Sequence, residues 1–245
     1  MLSKAKVKYI QSLGHKKLRD QHGLFLAEGP KLVEEFLLSF RFKCKYLLAT
    51  SEWLETLQKI DIAGIEKVEE VDQNELIKIS QLATPRDVLA IFYQEKMVIT
   101  SPGQKITLLL DGIRDPGNMG TIIRIADWFG VDNIICSVDS VDCYNPRVVQ
   151  ATMGSLARVN IVYMDLCEYI VSHPLIRVYA ATLSGKSLDS FGKLPEGMLV
   201  IGNESTGIQE NILKLPINEI SINRLGHAES LNAAVACGII LYAIR

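Results

Sequence analysis

The chain has 245 residues, of which 48% are hydrophobic and 22% are charged, and this composition is ordinary for a globular protein of one large or two smaller domains. No apolar run reaches the ~18 residues that span a bilayer, and the amino terminus lacks an apolar signal core, so we expect a cytoplasmic protein. The five cysteines form no C-x-x-C pair and the four histidines are scattered, which favours reduced, mostly buried thiols and argues against a metal site.

The net charge of −2 conceals an uneven distribution along the chain. Residues 1–45 contain ten Lys or Arg and four Asp or Glu, a net charge of +6, so the remainder carries −8. A basic segment of this kind indicates a polyanionic partner, and Lys16, Lys17 and Arg19 are its candidate contacts. A solvated helix face explains the same charges, and charge alone favours that simpler interpretation.

In chain order, apolar runs that predict strands alternate with segments of helical spacing. Residues 28–40, for example, place apolar side chains at intervals of three and four. This alternation predicts a parallel, doubly wound α/β architecture, and Ser, Pro and Gly in residues 96–105 indicate a linker between two domains. The predicted strands are residues 24–27, 45–49, 88–93, 106–110, 133–138, 160–164, 178–182, 198–202 and 219–223.

The run DGIRDPGNMGTIIRIADWFG, residues 111–130, predicts the end of a strand, a sharp turn and a helix. Asp111 lies at the strand end, where open α/β sheets bind ligands. We expect Asn118 to cap the helix and Arg124 to face away from its apolar side; taken alone, this run favours an ordinary cap and an exposed arginine over functional roles. The dinucleotide fingerprint G-x-G-x-x-G is absent, but Asp139 lies about twenty residues beyond the turn, as a ribose-binding acid would.

A second informative run is LVIGNESTGI, residues 199–208, which predicts a strand followed by a glycine-rich loop. Gly202 allows a ligand to approach the backbone closely. Glu204 lies between two glycines and has no evident structural task, so it is either a functional acid or an exposed loop residue.

A third run, GHAESLNAAVACGIILYAIR, covers residues 226–245 and predicts a terminal helix. We expect Ser230 to be its N-cap and Asn232 to lie in its first turn, where free N–H groups suit a carboxylate or phosphate. The helix is apolar nearly all round and must be buried on several sides, by its own domain or by a partner subunit.

The three runs, in this order, resemble the motifs of the SpoU/TrmH family of RNA ribose 2′-O-methyltransferases in the SPOUT superfamily, and the resemblance covers residues 106–245. Residues 1–95 resemble the substrate-binding domain that is often fused ahead of this catalytic domain. This second resemblance is weaker and rests on the run KLRDQHGLFLAEGPKLVEEFL, residues 17–37. The resemblance implies a C-terminal SPOUT-type α/β sheet domain with a trefoil knot, preceded by a smaller α/β domain like those of ribosomal RNA-binding proteins.

The resemblance also implies an activity and a set of site residues. It implies methyl transfer from S-adenosyl-L-methionine to a ribose 2′-hydroxyl of structured RNA, with ribosomal RNA favoured and transfer RNA as the alternative, by a homodimer that needs no metal. Lys16, Lys17 and Arg19 would then contact RNA. The implied catalytic residues are Asn118, Arg124, Glu204, Ser230 and Asn232, and the implied cofactor-binding residues are Thr182, Gly202, Ile222 and Leu231.

One departure and two rival interpretations accompany this resemblance. Asn223 stands where the family commonly has proline, so the loop from residue 223 to 229 is expected to differ in shape. A dinucleotide-dependent oxidoreductase is disfavoured by the absent glycine fingerprint. A non-catalytic RNA-binding protein of the same fold is disfavoured by the intact set of implied catalytic residues. The sequence does not identify the RNA or the nucleotide.

Overall fold

A computed structural model of the chain describes residues 1–57, 64–99 and 105–245. The chain forms two compact units, each made of two segments. The first unit contains residues 1–96 and 142–157, and the second contains residues 97–141 and 158–245. The predicted linker, residues 96–105, lies partly outside the described residues.

The first unit is a mixed four-stranded sheet with helices, and elements are numbered along the whole chain. Its strand order is β1-β4-β2-β3; β4 is antiparallel to both of its neighbours, and β2 and β3 are parallel. Its elements are α1 (Lys4–Ser12), α2 (Lys16–His22), β1 (Leu24–Glu28), α3 (Pro30–Ser39), β2 (Cys44–Ala49), α4 (Ser51–Thr56), β3 (Val68–Glu70), α5 (Gln73–Ile79), β4 (Val88–Tyr93) and α7 (Pro146–Thr152).

Residues 142–157 pack with the first unit, although the sequence places them within the catalytic domain, residues 106–245. The physical reason is packing. The Arg19 guanidinium donates hydrogen bonds to Asp142, and the ring of Tyr144 lies 4.7 Å from that of Phe25 on β1. Residues this far apart in sequence give no local signal of such contacts.

The second unit is a six-stranded parallel sheet in the order β10-β8-β9-β5-β6-β7. The central strands β5 and β9 are buried along their whole length, as expected where helices cover both faces of a parallel sheet. The remaining elements are β5 (Ile106–Leu110), α6 (Pro116–Trp128), β6 (Asn133–Cys136), β7 (Asn160–Tyr163), α8 (Leu166–Val171), β8 (Val178–Ser187), β9 (Gly197–Ile201), α9 (Glu210–Leu213), β10 (Asn218–Ser221) and α10 (Ala233–Ile244).

All nine predicted strands are present, two with the predicted ends and seven with shifted ends, and the α/β class is confirmed. The prediction of a parallel sheet is confirmed for the second unit and wrong for the first. Apolar runs indicate which segments are buried, but not the end of the sheet at which each strand begins, and β4 enters from the opposite end to β1 and β2. The short strand β3 was not predicted because its residues are mostly exposed.

The N-cap of α6 lies three residues before the predicted cap, and the N-cap of α10 lies two residues after it. Asp115 caps α6 by accepting a hydrogen bond from the Asn118 backbone N–H at 2.8 Å, so the prediction that Asn118 is the cap is wrong. Asn232 caps α10 by accepting from the N–H groups of Ala234 and Val235, so the prediction that Ser230 is the cap is also wrong. Both asparagine side chains therefore take part in the contacts described below.

The cysteines fit the sequence prediction. None of the five forms a disulfide within the part of the chain that the structure describes, and all except Cys167 are buried. Burial raises the pKa of the Cys44 and Cys237 thiols to about 12, so these groups stay protonated and unreactive at neutral pH. No helix among the described residues is long and apolar enough to cross a bilayer.

Candidate active site

Three side chains, one from each sequence motif, meet in the second unit. Asn118 lies in the first turn of α6, Glu204 in the loop after β9, and Asn232 at the start of α10. The Asn118 Nδ2 donates a hydrogen bond to the Glu204 carboxylate, and the Asn232 Nδ2 donates to Asn118 Oδ1 at 2.8 Å. Segments separated by about a hundred residues are thereby joined in one chain of hydrogen bonds.

The amino end of α10 sets the direction of this chain. The Asn232 Oδ1 accepts hydrogen bonds from two backbone N–H groups at 3.0 and 3.2 Å, so its Nδ2 must point away from the helix, towards Asn118. Asn118 then presents its carbonyl oxygen to Asn232 and its Nδ2 to Glu204. Because an amide has one donor side and one acceptor side, the orientation of Asn232 dictates that of Asn118. We call this series of contacts the amide relay.

The loop that carries Glu204 is closed on itself and tied to the end of β5. Asn203 and Gly207 exchange backbone hydrogen bonds at 3.0 and 2.9 Å, and the Asn203 side chain donates to the Gly112 carbonyl at 2.7 Å. Gly202 is required here, because a Cβ at this position would lie 2.4 Å from the carbonyl carbon of Gly207. These contacts therefore fix the backbone position of Glu204 in the loop.

Asp111 holds the far end of the same loop. Its carboxylate is 1% exposed and accepts hydrogen bonds at 2.7 Å from both the backbone N–H and the side-chain Nε2 of Gln209. Burial raises the pKa of Asp111 above its usual range, although the two bonds from Gln209 act in the opposite direction. The sequence placed Asp111 at a ligand edge but did not identify Gln209 as its partner; an acid at the end of a buried strand was the only available signal.

A cleft of about 780 Å³ lies beside the amide relay. This volume is in the usual range for a bound nucleoside-sized molecule. The walls combine aliphatic side chains with loop backbone, and Thr182 is oriented by a hydrogen bond to Glu219 at 2.8 Å. The lining includes all four residues implied as cofactor contacts, Thr182, Gly202, Ile222 and Leu231, together with Glu204 and Ser230.

Arg124 stands apart from this group. It is exposed on α6, as the helical spacing predicted, and among the described residues its guanidinium has no hydrogen-bond or ion-pair partner. Ser230 is also exposed, and it lines the cleft without taking part in the amide relay. Of the five implied catalytic residues, the relay therefore contains Asn118, Glu204 and Asn232 but not Arg124 or Ser230.

The three candidate RNA contacts of the first unit have different surroundings. Lys16 and Lys17 are exposed on α2, where Lys16 forms an ion pair with Asp20 at 2.6 Å, and their contact with RNA stays a prediction. Arg19 is 1% exposed and donates to Asp142 and to two backbone carbonyls, so its assignment as an RNA contact is wrong. Asp142 lies far from Arg19 in the sequence, so counting charges cannot reveal the pair.

Asp139, the candidate ribose-binding acid of the oxidoreductase interpretation, is occupied by other contacts. It accepts hydrogen bonds from Ser137 at 2.7 Å and from Arg114 at 3.0 Å. Ser137 is the larger cause, and Arg114 the second, of the lowered pKa of the Asp139 carboxyl. These bonds make Asp139 part of the scaffold at the carboxyl end of the sheet.

Comparison with known proteins agrees with this geometry. The family described as SpoU rRNA Methylase matches residues 105–242, and the MRM3-like substrate binding domain matches residues 4–90. A Bacillus subtilis protein named 23S rRNA (guanosine(2553)-2′-O)-methyltransferase RlmP is 28% identical, over 98% of this chain and 96% of its own length.

Two solved structures extend over almost the same length. A putative RNA methyltransferase of the TrmH family from Porphyromonas gingivalis is 35% identical with a TM-score of 0.86, and covers 100% of this chain and 98% of its own. An AdoMet-bound rRNA methyltransferase from Sinorhizobium meliloti is 31% identical with a TM-score of 0.88, and covers 100% of this chain and 96% of its own.

The parallel sheet, the three joined motifs and these matches define the class of the protein as an RNA methyltransferase. The chain belongs to the SpoU rRNA methylase family, and it carries an MRM3-like substrate-binding domain at its amino end.

Proposed function

We propose that the protein transfers a methyl group from S-adenosyl-L-methionine to a ribose 2′-hydroxyl of ribosomal RNA. The observation that carries this proposal is the amide relay, which brings Asn118, Glu204 and Asn232 together at the edge of a nucleoside-sized cleft. The names of the relatives support it, since one is a ribose 2′-O-methyltransferase of 23S rRNA and another is an rRNA methyltransferase with bound AdoMet.

Both the backbone groups and the side chains that line the cleft suit S-adenosyl-L-methionine. Gly202, together with the loop as far as Ile208, supplies peptide groups, while Ile222 and Leu231 supply apolar surface for an adenine ring. Thr182 adds a hydroxyl whose proton is donated to Glu219. When bound there, the cofactor would supply an electrophilic methyl carbon attached to a sulfonium leaving group.

The protein's own residues then have to place and activate the ribose hydroxyl. A hydroxyl held in line with the methyl carbon gains most of its reactivity from position alone. Glu204, oriented by Asn118, would accept a hydrogen bond from the ribose. Arg124 would stabilise the developing alkoxide as a fixed positive charge, because a guanidinium group keeps its proton in proteins and is therefore a poor base. As the bond from the ribose oxygen to the methyl carbon forms and the bond from sulfur to that carbon breaks, the hydroxyl proton would pass to the adjacent RNA phosphate.

Arg124 would reach this site from a second copy of the chain. The side chain shares the outward face of α6 with Trp128, which is 84% exposed. The adjoining helix α10 buries one side and exposes a second apolar stripe made of Val235, Ile239 and Tyr242. A homodimer that covers these apolar side chains would place the arginine of one chain near the relay of the other.

The shared-site dimer has a direct test in mixed variants. Arg124→Ala chains and Glu204→Ala chains are each expected to be inactive, whereas heterodimers of the two should regain part of the activity. Activity no higher than that of the parents, in samples shown to contain mixed dimers, would count against a site built from both chains.

A trefoil knot near the carboxyl terminus is the remaining part of the proposed fold. It is supported by the membership of the chain in the SpoU rRNA methylase family. Tracing the chain from residue 197 to 245 in an experimental structure tests it.

The decisive experiment is methyl transfer from radiolabelled S-adenosyl-L-methionine to unmodified RNA. Transcripts of ribosomal RNA and of transfer RNA form two arms, followed by mapping of alkali-resistant 2′-O-methylated positions. Label in ribosomal RNA is the expected result, and label confined to transfer RNA would identify the other substrate class. Absence of transfer to either RNA, together with no thermal shift by the cofactor, would refute the activity.

A further inference from the structure

The first unit carries lysines and tyrosines at one end of its sheet. Lys43 and Lys45 lie at the start of β2, Tyr93 ends the neighbouring strand β4, and Lys6 on α1 lies over Tyr46. We call these five residues, Lys6, Lys43, Lys45, Tyr46 and Tyr93, the lysine–tyrosine surface. No role in the proposed methyl transfer has been assigned to any of them.

The two aromatic rings hold the ammonium groups in place. The Lys45 Nζ lies 5.5 Å from the ring centroid of Tyr93 and 5.9 Å from that of Tyr46. The Lys43 Nζ lies 5.7 Å from the Tyr93 ring, and the Lys6 Nζ lies 4.9 Å from the Tyr46 ring. Contacts of this kind restrict long side chains that are otherwise mobile, so less conformational entropy is lost when they bind a partner.

Carboxylates reduce the positive charge of this surface without cancelling it. Glu66 pairs with Lys43 at 2.6 Å, and Glu69 pairs with Lys6. Lys45 has no ion-pair partner among the described residues, so its charge is available to an anion. Glu66 and Lys43 are both partly exposed, and a phosphate can compete for the lysine because exposed ion pairs contribute little free energy.

The opposite end of the same sheet has the opposite charge. A cleft of about 600 Å³ lies where β2 and β3 end and β4 begins. The six residues of β2 separate the two ends by roughly 20 Å, at about 3.3 Å per residue. The carboxylates among the described residues that line this cleft are Glu52, Glu70, Asp72, Glu75 and Asp87.

We propose that the lysine–tyrosine surface binds the phosphate backbone of the RNA substrate. The surface is positive and the far end of the sheet is negative, so a polyanion is attracted to one end and repelled from the other. This inference rests on the proposed function, since it names the place where the first unit holds the RNA that the second unit methylates. It favours the start of β2 over α2, whose Lys16 and Lys17 were the candidates from sequence.

A pair of double variants separates the two surfaces with matched changes. Lys43→Gln/Lys45→Gln removes one lysine that is ion-paired at 2.6 Å and one that has no ion-pair partner within residues 1–57, 64–99 and 105–245, and Lys16→Gln/Lys17→Gln removes the same combination from α2. Lys43 and Lys16 are also equally exposed, at 64%. Net charge and number of substitutions are therefore the same in both variants.

Affinity is measured by filter binding of the full-length protein to a labelled transcript of large-subunit ribosomal RNA across a salt series. Loss of two phosphate contacts should lower the slope of log affinity against log salt by about 1.4–1.8. At 0.1 M monovalent salt this corresponds to an affinity roughly 25- to 60-fold weaker for Lys43→Gln/Lys45→Gln. The α2 variant should keep the wild-type salt slope, and its affinity should remain within about twofold of wild type.

The tyrosine ring has its own test. Tyr93→Leu removes the ring that holds Lys43 and Lys45 and should weaken RNA binding, whereas Tyr93→Phe keeps the ring, loses only the hydroxyl bond to Glu66, and should bind like wild type. Rescue by the phenylalanine variant distinguishes a role of the ring in placing lysines from general damage. Cofactor-induced thermal shift, unchanged in every variant, verifies that the second unit is intact.

The outcomes separate this inference from the proposed function. Wild-type protein that transfers no methyl group to any RNA overturns the proposed function, whatever the variants do. Wild-type protein that methylates RNA, with equal salt slopes for the β2 variant and wild type, overturns the lysine–tyrosine surface alone. A larger loss in the Lys16→Gln/Lys17→Gln variant than in the β2 variant also overturns it, and assigns RNA binding to α2.

Discussion

The amide relay predicts that Asn232→Asp lowers the activity by breaking one hydrogen bond, that from Asn232 Nδ2 to Asn118 Oδ1. Aspartate is as good an N-cap as asparagine, and a negative charge at the amino end of α10 adds about 0.3–1 kcal/mol of stability. In the wild-type protein the Asn232 Nδ2 donates to Asn118 Oδ1 at 2.8 Å. In the variant, a carboxylate oxygen takes the place of this Nδ2, so two acceptors face each other. Asn118 must then rotate its amide and turn an oxygen towards Glu204.

The magnitude follows from the hydrogen bond that is lost. Glu204 is a carboxylate, and a hydrogen bond to a charged group contributes about 1.5–3 kcal/mol. If that energy is needed to hold the catalytic arrangement, the rate of methyl transfer falls about 10- to 150-fold, since each 1.36 kcal/mol is a factor of ten. The free energy of unfolding should change by less than about 1 kcal/mol because the helix cap is kept.

The assay compares kcat/KM for methyl transfer with the free energy of unfolding in urea. Asn232→Ser serves as the control, because serine also caps the helix but places no carboxylate against Asn118, and its activity should fall less. Asn118→Ala removes the same donor to Glu204 without adding a charge, so the double variant with Asn232→Asp should be no worse than the poorer single variant. A folded Asn232→Asp protein with wild-type activity would refute the directional relay.

Three further predictions concern the scaffold. Gly202→Ala forces a methyl group to within 2.4 Å of the Gly207 carbonyl carbon, so cofactor affinity measured by calorimetry should drop at least tenfold, a loss of about 1.4 kcal/mol. Arg19→Met leaves a buried carboxylate unpaired and should lower the free energy of unfolding by about 3–5 kcal/mol, against less than about 1 kcal/mol for Lys16→Met on the surface. Because the pKa of Asp139 is lowered in the folded protein, its ionised form stabilises the fold at pH values above the pKa of the unfolded chain. The difference in free energy of unfolding between wild type and Asp139→Asn should therefore shrink as pH falls towards 3. A difference that grows on acidification would contradict this sign.

The sequence identified the members of the amide relay but not its geometry. The resemblance of the three motifs to the SpoU/TrmH family implies Asn118, Glu204 and Asn232 together, whereas an ordinary helix cap is the simpler interpretation of Asn118 alone. Their hydrogen bonds depend on which asparagine caps a helix, and a shift of two residues from Ser230 to Asn232 reverses that assignment. Motif position therefore predicts which residues meet, and the helix boundary decides how they are oriented.

Arg19 and strand β4 show where sequence reasoning fails. Counting charges treats every basic residue as exposed, whereas Arg19 is buried by a partner 123 positions away. Apolar runs located β4 correctly but not its direction, because both faces of a strand are buried equally whichever way it runs. Each failure involves a contact between distant segments, which local pattern cannot specify.

The division of the first unit into residues 1–96 and 142–157 has a consequence for the order of folding during synthesis. When residue 96 leaves the ribosome, β1 lacks the ring of Tyr144 and the helix α7 that pack against it, and Arg19 lacks the carboxylate of Asp142. Asp142 is made about 45 residues later, roughly 2–9 s at 5–20 residues per second. The nascent amino-terminal unit can therefore complete its packing only after the first two strands of the second sheet have been made.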